Sequence, residues 1–494
     1  AAHGMGAADF GAAVFIALTA MWQGGFSDMA WCVSGAVFAG YAVFAAKKLP
    51  PRPVAILFAS LLLLYAVSAL MHGAHFESSA QVVRLAAALL AFAALHNMRR
   101  LNIAAVVVLS GALAAAVGLA AFFGVIRLPE ASFEGRFQGT FHYANAAGIF
   151  FAVCAFMART GLRSRQKHVA FLFEAMLLLT QSVGAIATYV LAWLLSLFAG
   201  GRRKAFFALL GASACGGAAL LYVRGAGQIA ASYLDRMIQI SDGAGVMLRA
   251  PLGIGPGLWG LRVLELQSAF YSSAKMHSYI IEMGVDAGLL AVAAFVALVA
   301  VWAGRIRESG LLPRHIAAMM LLFHGLVDIT LGFLTLAFLL ILLAVPDFPD
   351  GMALGRRPRL AGGAAAAIFC GFMAIQAGSR NLAAWESQPV APESVIAEYA
   401  GDSLVTALDE YRYAKALLYL GRRAEAADSA IRCIRLARYL PDGYELLDSI
   451  LIGMAAGEAE KYSAQAGEIR AEAERTEHPL YKYLSKYKNA GADR

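Results

Sequence analysis

The sequence is poor in charged residues. Asp, Glu, Lys and Arg make up 15% of its 494 residues, whereas 60% of the residues are apolar. The core of a soluble domain does not need so large an apolar share. The apolar residues also recur in blocks of roughly 17 to 25 residues, the length that crosses a bilayer. The shortage of charge therefore excludes an ordinary soluble protein and predicts a multi-pass membrane protein.

Cysteine is also scarce, and its arrangement excludes two classes of small-domain scaffold. The five cysteines are scattered without CxxC spacing, and four of them lie in apolar segments. This pattern predicts neither a zinc site nor a disulfide framework. The net charge of +8 comes from basic residues in short clusters between apolar blocks. Membrane topology accounts for such clusters, so nucleic-acid binding is not expected.

The apolar blocks predict an all-α polytopic membrane bundle of about 12 to 13 spans. The thirteen candidate spans lie at 7–22, 30–46, 54–71, 80–96, 103–126, 143–158, 168–181, 184–199, 205–223, 278–303, 315–329, 331–346 and 360–378. Basic clusters fall on alternate turns, which the positive-inside rule makes cytoplasmic. These clusters are Lys47, Lys48 and Arg52; Arg99 and Arg100; Arg159, Arg163, Arg165 and Lys167; Arg202, Arg203 and Lys204; Arg305, Arg307 and Arg314; Arg356, Arg357 and Arg359. An odd number of spans then predicts a cytoplasmic N-terminus and an external C-terminal part.

This topology divides the chain into two domains. Residues 1–379 form the membrane domain, with a large external loop at 224–277, and residues 380–494 form an external soluble helical domain. Within the second domain, Tyr411 to Pro441 resembles one tetratricopeptide repeat, although a generic α-hairpin accounts for the pattern nearly as well. Such a domain would offer a surface for a protein partner.

The predicted external surface is basic and has few carboxylates. Arginine suits a phosphate or diphosphate, because its guanidinium offers a bidentate fork. Arginines that extend along lipid to reach water are the alternative explanation for each single residue. The scarce acids of the large loop do not form a DxD pair, so neither a metal ion nor another cofactor is expected. The external basic residues are Arg84, Arg127, Arg136, Arg224, Arg236, Arg249, Arg262 and Lys275.

His277 is the sharpest candidate for catalysis. It is the last loop residue before a predicted span, where an imidazole with an ordinary pKa of about 6.5 could take a proton from an attacking hydroxyl. A solvated interfacial histidine is the alternative.

Six further polar residues near predicted spans are ambiguous. Glu282 could line a water-accessible cleft below His277, whereas His324 and Asp328 are better explained by hydrogen bonds between helices. His142, Tyr143 and Asn145 could contact substrate or form part of an aromatic belt at the interface.

Four motifs together resemble the O-antigen ligase and polymerase superfamily. The segment from His277 to Ala291 resembles that family's signature, in which a histidine and a small polar residue are followed by nine residues and then a glycine, here Gly288. The other similar segments are Gly135 to Gly148, with Arg136 and Asn145, then Arg249 to Gly260, and His324 to Phe333. The sequence departs from the family at Ser182–Gly184, where Val183 replaces an arginine that is often present.

The resemblance implies a function. Members move a glycan from undecaprenyl diphosphate to an acceptor hydroxyl at the outer face of the bacterial inner membrane. His277 would activate the acceptor, and Arg136 and Arg249 would hold the diphosphate. His142, Tyr143, Asn145, Arg224, Arg262, Lys275 and Glu282 would contribute to binding.

Several alternatives remain open. The acceptor could be a lipid, a glycan or a protein, so that the chain could equally be a repeat-unit polymerase or a protein O-oligosaccharyltransferase of the same superfamily. A transporter or flippase of lipid-linked glycan is the alternative from another class, although the two halves of the chain show no internal repeat.

Overall fold

The computed structural model describes residues 7–44, 46–73, 75–98, 101–271, 273, 275–353, 355–385, 391–401 and 404–483. About 79% of the structure is helical, which confirms the all-α fold class. Its described strands have two residues each. β1 (Lys48–Leu49) pairs antiparallel with β4 (Met352–Ala353), and β2 (Ser132–Phe133) pairs antiparallel with β3 (Arg136–Phe137).

The described residues form twenty-one α-helices. The first nine are α1 (Ala7–Met21), α2 (Asp28–Phe44), α3 (Arg52–Met71), α4 (Phe76–Asn97), α5 (Ile103–Phe122), α6 (Ala144–Gly161), α7 (Val169–Thr180), α8 (Val183–Ala199) and α9 (Arg203–Arg224). The next seven are α10 (Ala226–Arg249), α11 (Leu258–Leu266), α12 (Tyr279–Ala287), α13 (Leu289–Ser309), α14 (Pro313–Gly325), α15 (Leu334–Ala344) and α16 (Arg356–Trp385). The last five are α17 (Pro392–Gly401), α18 (Ala407–Tyr419), α19 (Arg423–Leu436), α20 (Pro441–Leu451) and α21 (Ala456–Thr476).

The predicted spans correspond to helices of unequal length. Seven described helices are long and apolar enough to cross a membrane, namely α3, α4, α5, α6, α9, α13 and α16. Five others, α1, α2, α7, α8 and α15, are apolar but shorter. The helices α7, α14 and α15 have 12, 13 and 11 residues, and each meets at one end a turn that contains buried residues. These turns therefore join helices that are shorter than the seven long apolar ones.

α6 forms the centre of the bundle, with 78% of its residues buried. Alanine and glycine at its start let neighbouring backbone come close. A Cβ added to Gly148 would lie within 3.0 Å of side-chain atoms of Thr180, Ser182 and Ala185. The turn between α7 and α8 is therefore held tightly against the first turns of α6.

Several basic turns lie together at one end of the bundle. β1 pairs with β4 there, and Arg359 Nη1 donates to the carbonyl of Ala46 at 3.1 Å. The turn after α2 and the turn before α16 are thus in contact. Arg99 and Arg100, which belong to the same predicted cytoplasmic set, lie outside the described residues.

At the opposite end, the segment 224–277 was expected to be a loop, but it contains α10 and α11. α10 is amphipathic: Ile238, Asp242 and Val246 are buried along one side, whereas Leu248 is exposed. A stripe of apolar residues with helical spacing, rather than a continuous apolar run, stabilises such a surface helix.

The predicted span 278–303 is not one helix either. It is divided into α12 and α13 at Gly288, whose φ of 84° and ψ of 179° suit glycine and strain other residues. The backbone of Pro251 packs directly on Gly288, and the N–H of Leu289 donates to the Pro251 carbonyl at 3.1 Å. The segment before α11 is thereby fastened to the break between α12 and α13.

The C-terminal helices α18 to α21 pack around a small apolar core of their own. α16 continues to Trp385, past the boundary expected at residue 379. α18 and α19 contact α11, and the N–H of His478 donates to the carbonyl of Ser268 at 3.0 Å. This helical unit therefore lies against the segment that precedes α12.

Candidate active site

Two arginines lie against the C-terminal end of α7. Arg136 on β3 donates from Nε to the carbonyl of Thr180 at 3.0 Å, and Arg224 at the end of α9 donates from Nη1 to the carbonyl of Gln181 at 3.3 Å. The last carbonyls of a helix lack partners within the helix and carry partial negative charge, so cations are stabilised there. A guanidinium has five N–H donors, which leaves further donors for a ligand.

Asp328 is a buried carboxylate that links the surrounding elements. It accepts hydrogen bonds from Tyr143 Oη at 2.9 Å and Asn145 Nδ2 at 2.8 Å, and it forms an ion pair with Arg236 at 3.2 Å. Asn145 Oδ1 in turn accepts from Arg136 Nη2 at 3.0 Å. A buried carboxylate requires such partners. These contacts join β3, α6, α10 and the turn after α14 in one polar network.

His277 meets α10 from the segment that precedes α12. Its ring Nδ1 and its backbone N both lie 2.8 Å from Oε1 of Gln239. Burial lowers the pKa of His277 below the ordinary 6.5; Asp328 acts to raise it and Arg236 to lower it further. The imidazole is therefore neutral and able to accept a proton at neutral pH. We call the set Arg136, Tyr143, Asn145, Arg224, Arg236, Gln239, His277 and Asp328 the polar cluster.

The surroundings of Arg136 are rich in positive charge. Arg224 and Arg236 are both near enough for their charges to act on it, and Asp328 is the carboxylate that opposes them. Burial, followed by the charge of Arg224, lowers the pKa of Arg136 to about 10. A bound anion would offset both the burial and the repulsion between guanidinium groups, and the fork of an arginine fits phosphate oxygens.

An apolar cavity of about 160 Å³ lies beside the polar cluster, between α3, α4, α13 and α15. Its wall along α4 extends from Gln81 to Phe92, eleven residues or about 16 Å at the rise of an α-helix. Glu282 also lines it. The turn before α15 contributes Leu331 and Gly332 to the cavity wall. The next residue, Phe333, stacks on Tyr143 with ring centroids 6.0 Å apart. One aromatic pair thus lies between the apolar cavity and the polar cluster.

No family model, curated protein or solved structure matches this chain. The resemblance to the O-antigen ligase and polymerase superfamily therefore depends on the sequence motifs. Across the residues that the structure describes, no three His, Cys, Asp or Glu side chains form a group that could hold a metal ion.

The structure brings five of the ten predicted site residues into the polar cluster. These are Arg136, Tyr143, Asn145, Arg224 and His277.

Arg249 and Arg262 lie elsewhere. Arg249 is exposed near the end of α10, thirteen residues or about 20 Å along the helix from Arg236. Arg262 pairs on α11 with Glu265, with Nη2 and Oε1 2.8 Å apart. The arginine of this segment that reaches the cluster is Arg236, because α10 turns that residue and Gln239 towards His277.

Three other predicted binding residues flank the cluster. His142 has a left-handed backbone with φ of 54°, and its Nδ1 lies 3.5 Å from Oε2 of Glu130. Lys275 Nζ lies 5.7 Å from the ring centroid of Phe26. Glu282 faces the apolar cavity. These residues border the site on the side of the cavity or of the β2–β3 turn.

Three residues of the polar cluster are not assigned to the site by the sequence alone. Arg236 is only one of eight external basic residues there, and Gln239 carries no motif. The two are three residues apart and share one face of a helix, but that spacing is informative only once the segment is recognised as helical. Asp328 makes the predicted hydrogen bonds between helices, and through Asn145 and its ion pair with Arg236 these contacts connect it to the arginines.

Proposed function

We propose that this chain is a membrane glycosyltransferase of the O-antigen ligase and polymerase type. In this proposal it is a polytopic protein of the bacterial inner membrane. The turns with basic clusters face the cytoplasm, and the polar cluster and the C-terminal helical domain face outward. Seven helices long and apolar enough to cross a membrane support the membrane assignment.

The observation that carries the proposal is the meeting of three arginines with a neutral imidazole. Arg236 pairs with the carboxylate of Asp328, Arg136 reaches the same carboxylate through Asn145, and Arg224 lies near enough for its charge to act on both of these arginines. The charges of Asp328 and Arg236 also act on His277. Guanidinium groups would bind the diphosphate of a lipid carrier and stabilise the negative charge that develops on it. Arg236, rather than Arg249, is the partner that we assign to Arg136.

The reaction needs one proton acceptor and no redox step. The oxygen of the acceptor hydroxyl attacks the anomeric carbon of the carrier-linked sugar, and its proton passes to Nε2 of His277. The bond between the anomeric carbon and the diphosphate oxygen breaks, and its electron pair leaves with the diphosphate. The arginines hold the departing group, and undecaprenyl diphosphate and glycosylated acceptor are the products.

The apolar cavity supports a lipid-linked donor. Its lining residue Gly332 precedes Phe333, whose ring stacks on Tyr143 of the polar cluster, so that an isoprenoid segment in the cavity would lie one aromatic pair away from a diphosphate held by the arginines. The helical domain, which contacts α11, would present the acceptor or a protein partner.

Two substitutions test the proposal in cells. His277→Ala and Arg136→Ala should each abolish display of the glycan on its acceptor while leaving the protein inserted in the membrane. Arg249→Ala is the matched control, and it should keep display within about twofold because its side chain is exposed away from the cluster. Full display in both test variants would overturn the proposal. Carrier-linked glycan that accumulates on the cytoplasmic face would indicate a flippase instead.

A further inference from the structure

Gln239 is almost completely buried, with 1% of its surface exposed, and its amide is fully used. Its Nε2 lies 3.1 Å from the carbonyl oxygen of Ser273 and 2.9 Å from that of Lys275. Its Oε1 lies 2.8 Å from the backbone N of His277 and 2.8 Å from that residue's ring Nδ1.

These partners determine which end of the amide is oxygen. Carbonyl oxygens only accept hydrogen bonds, so the amide atom facing Ser273 and Lys275 must be the NH2 group. The backbone N–H of His277 only donates, so the atom facing it must be the amide oxygen. A flipped amide would place its NH2 group against the backbone N–H of His277. It would also place its oxygen against the carbonyl oxygens of Ser273 and Lys275. The orientation of Gln239 therefore follows from the backbone around it.

We propose that Gln239 is a positioning residue that holds His277 in the tautomer with the proton on Nδ1, leaving the lone pair on Nε2 as the base. An oxygen that already accepts from the backbone N–H of His277 can approach ring Nδ1 at this distance only if Nδ1 carries a hydrogen. In a neutral imidazole the other nitrogen is then the proton acceptor. This inference rests on the proposed function for its catalytic meaning, whereas the tautomer itself is a property of the protein alone.

The charges around the imidazole come from two other elements. Arg236 and Asp235 act on it from α10, and Asp328 acts on it from the turn after α14. Gln239 adds no charge to this set. A neutral acceptor orients the ring and stabilises the protonated form less than a carboxylate would. Burial, which lowers the pKa of His277, therefore keeps the base neutral at neutral pH.

Direct observation of the tautomer is the first test. The full-length protein would be labelled with 15N-histidine in detergent micelles, and the His277 signals would be assigned by their loss in His277→Ala. We expect a protonated Nδ1 and an unprotonated Nε2 in the wild type, and a mixture of tautomers in Gln239→Leu. Gln228→Leu, an exposed change on the same helix, is the matched control and should leave the signals unchanged.

Transfer rates provide the second test. Membranes from a strain that lacks the protein would supply the carrier-linked glycan and the acceptor. Gln239→Leu should lower the maximal rate about 10- to 100-fold, part of the 10²- to 10⁴-fold that a positioned base contributes. Gln239→Glu retains an acceptor for the ring N–H, but it replaces the amide NH2 group with an oxygen that faces the carbonyl oxygens of Ser273 and Lys275. Its rate should therefore stay below that of the wild type, and because its carboxylate favours the imidazolium, the acidic limb of the rate profile should move to higher pH.

The outcomes separate this inference from the proposed function. If His277→Ala abolishes transfer but Nε2 carries the proton in the wild type, or Gln239→Leu transfers at the wild-type rate, the positioning role is overturned and the enzyme assignment stands. If the wild type transfers nothing while the tautomer is as expected, the enzyme assignment fails and the geometric part of the inference stands.

Discussion

Replacing Gly288 with alanine tests how the segment before α11 is fastened to the break between α12 and α13. The φ of 84° and ψ of 179° lie in a region that is essentially restricted to glycine, where another residue costs about 1 to 3 kcal/mol. The added Cβ would also overlap the carbonyl oxygen of Pro251 and lie 2.7 Å from Cα of Leu252. That backbone would have to move away, which weakens the 3.1 Å hydrogen bond from Leu289 at a cost of about 0.5 to 1.5 kcal/mol. The expected loss is therefore about 1.5 to 4.5 kcal/mol of unfolding free energy.

Gly304→Ala is the matched control, because Gly304 lies within α13 and a Cβ there would meet nothing within 4 Å. Alanine is the better helix former, so this variant should be unchanged or stabilised by up to about 1 kcal/mol. Both free energies can be measured by titrating micelle-solubilised protein with SDS while following helix content. Equal stabilities for Gly288→Ala and Gly304→Ala would refute the reasoning about the break.

Three further outcomes follow from the site and the topology. Burial lowers the pKa of His277, so the acidic limb of the rate profile should have its midpoint below 6.5. The unfolded chain, whose histidine pKa is higher, binds the proton more readily than the folded protein, so folding stability should also decline as the pH falls below 6.5. A midpoint of the rate profile above 6.5 would contradict the lowered pKa of His277. Arg236→Ala should lower the transfer rate by about 10²- to 10³-fold, as removal of one charge-stabilising donor does, whereas Arg249→Ala should stay within about twofold; equal losses would refute the choice of Arg236. Added protease should cleave residues 432–438 in intact spheroplasts, and protection of this segment would contradict an external helical domain.

Helix identity could be predicted well where apolar residues run without interruption. Long apolar blocks identified α3, α5 and α13, because a helix that is apolar on all sides can be in contact with lipid or protein around its whole circumference. α10 could not be found in this way, since it buries a single stripe that includes Ile238 and Val246 and carries polar residues elsewhere. The break at Gly288 was hidden for the opposite reason. A single glycine hardly changes the hydropathy of an apolar run. The backbone of Pro251, whose close approach requires a glycine at position 288, is also distant in sequence.

The sequence was sufficient to identify His277 and Arg136, but not the residues that lie between them. His277 and Arg136 were identifiable because polar residues at the edge of apolar blocks are few and their motifs are distinctive. The choice between Arg236 and Arg249 depends on which turn of α10 faces His277, and that is set by tertiary packing. Asp328 was visible as an acid in a predicted span, but its partners Tyr143 and Arg236 lie 185 and 92 positions away along the chain.

The most direct test of the account is a transfer assay in proteoliposomes that contain the purified protein. The liposomes would also contain lipids extracted from a strain that lacks the protein, as the source of carrier-linked glycan and acceptor. The account predicts glycosylated acceptor with the wild type, and none with His277→Ala or Arg136→Ala reconstituted to the same level. Equal product from the wild type and either variant would contradict a reaction in which an imidazole takes the proton while arginines hold the diphosphate.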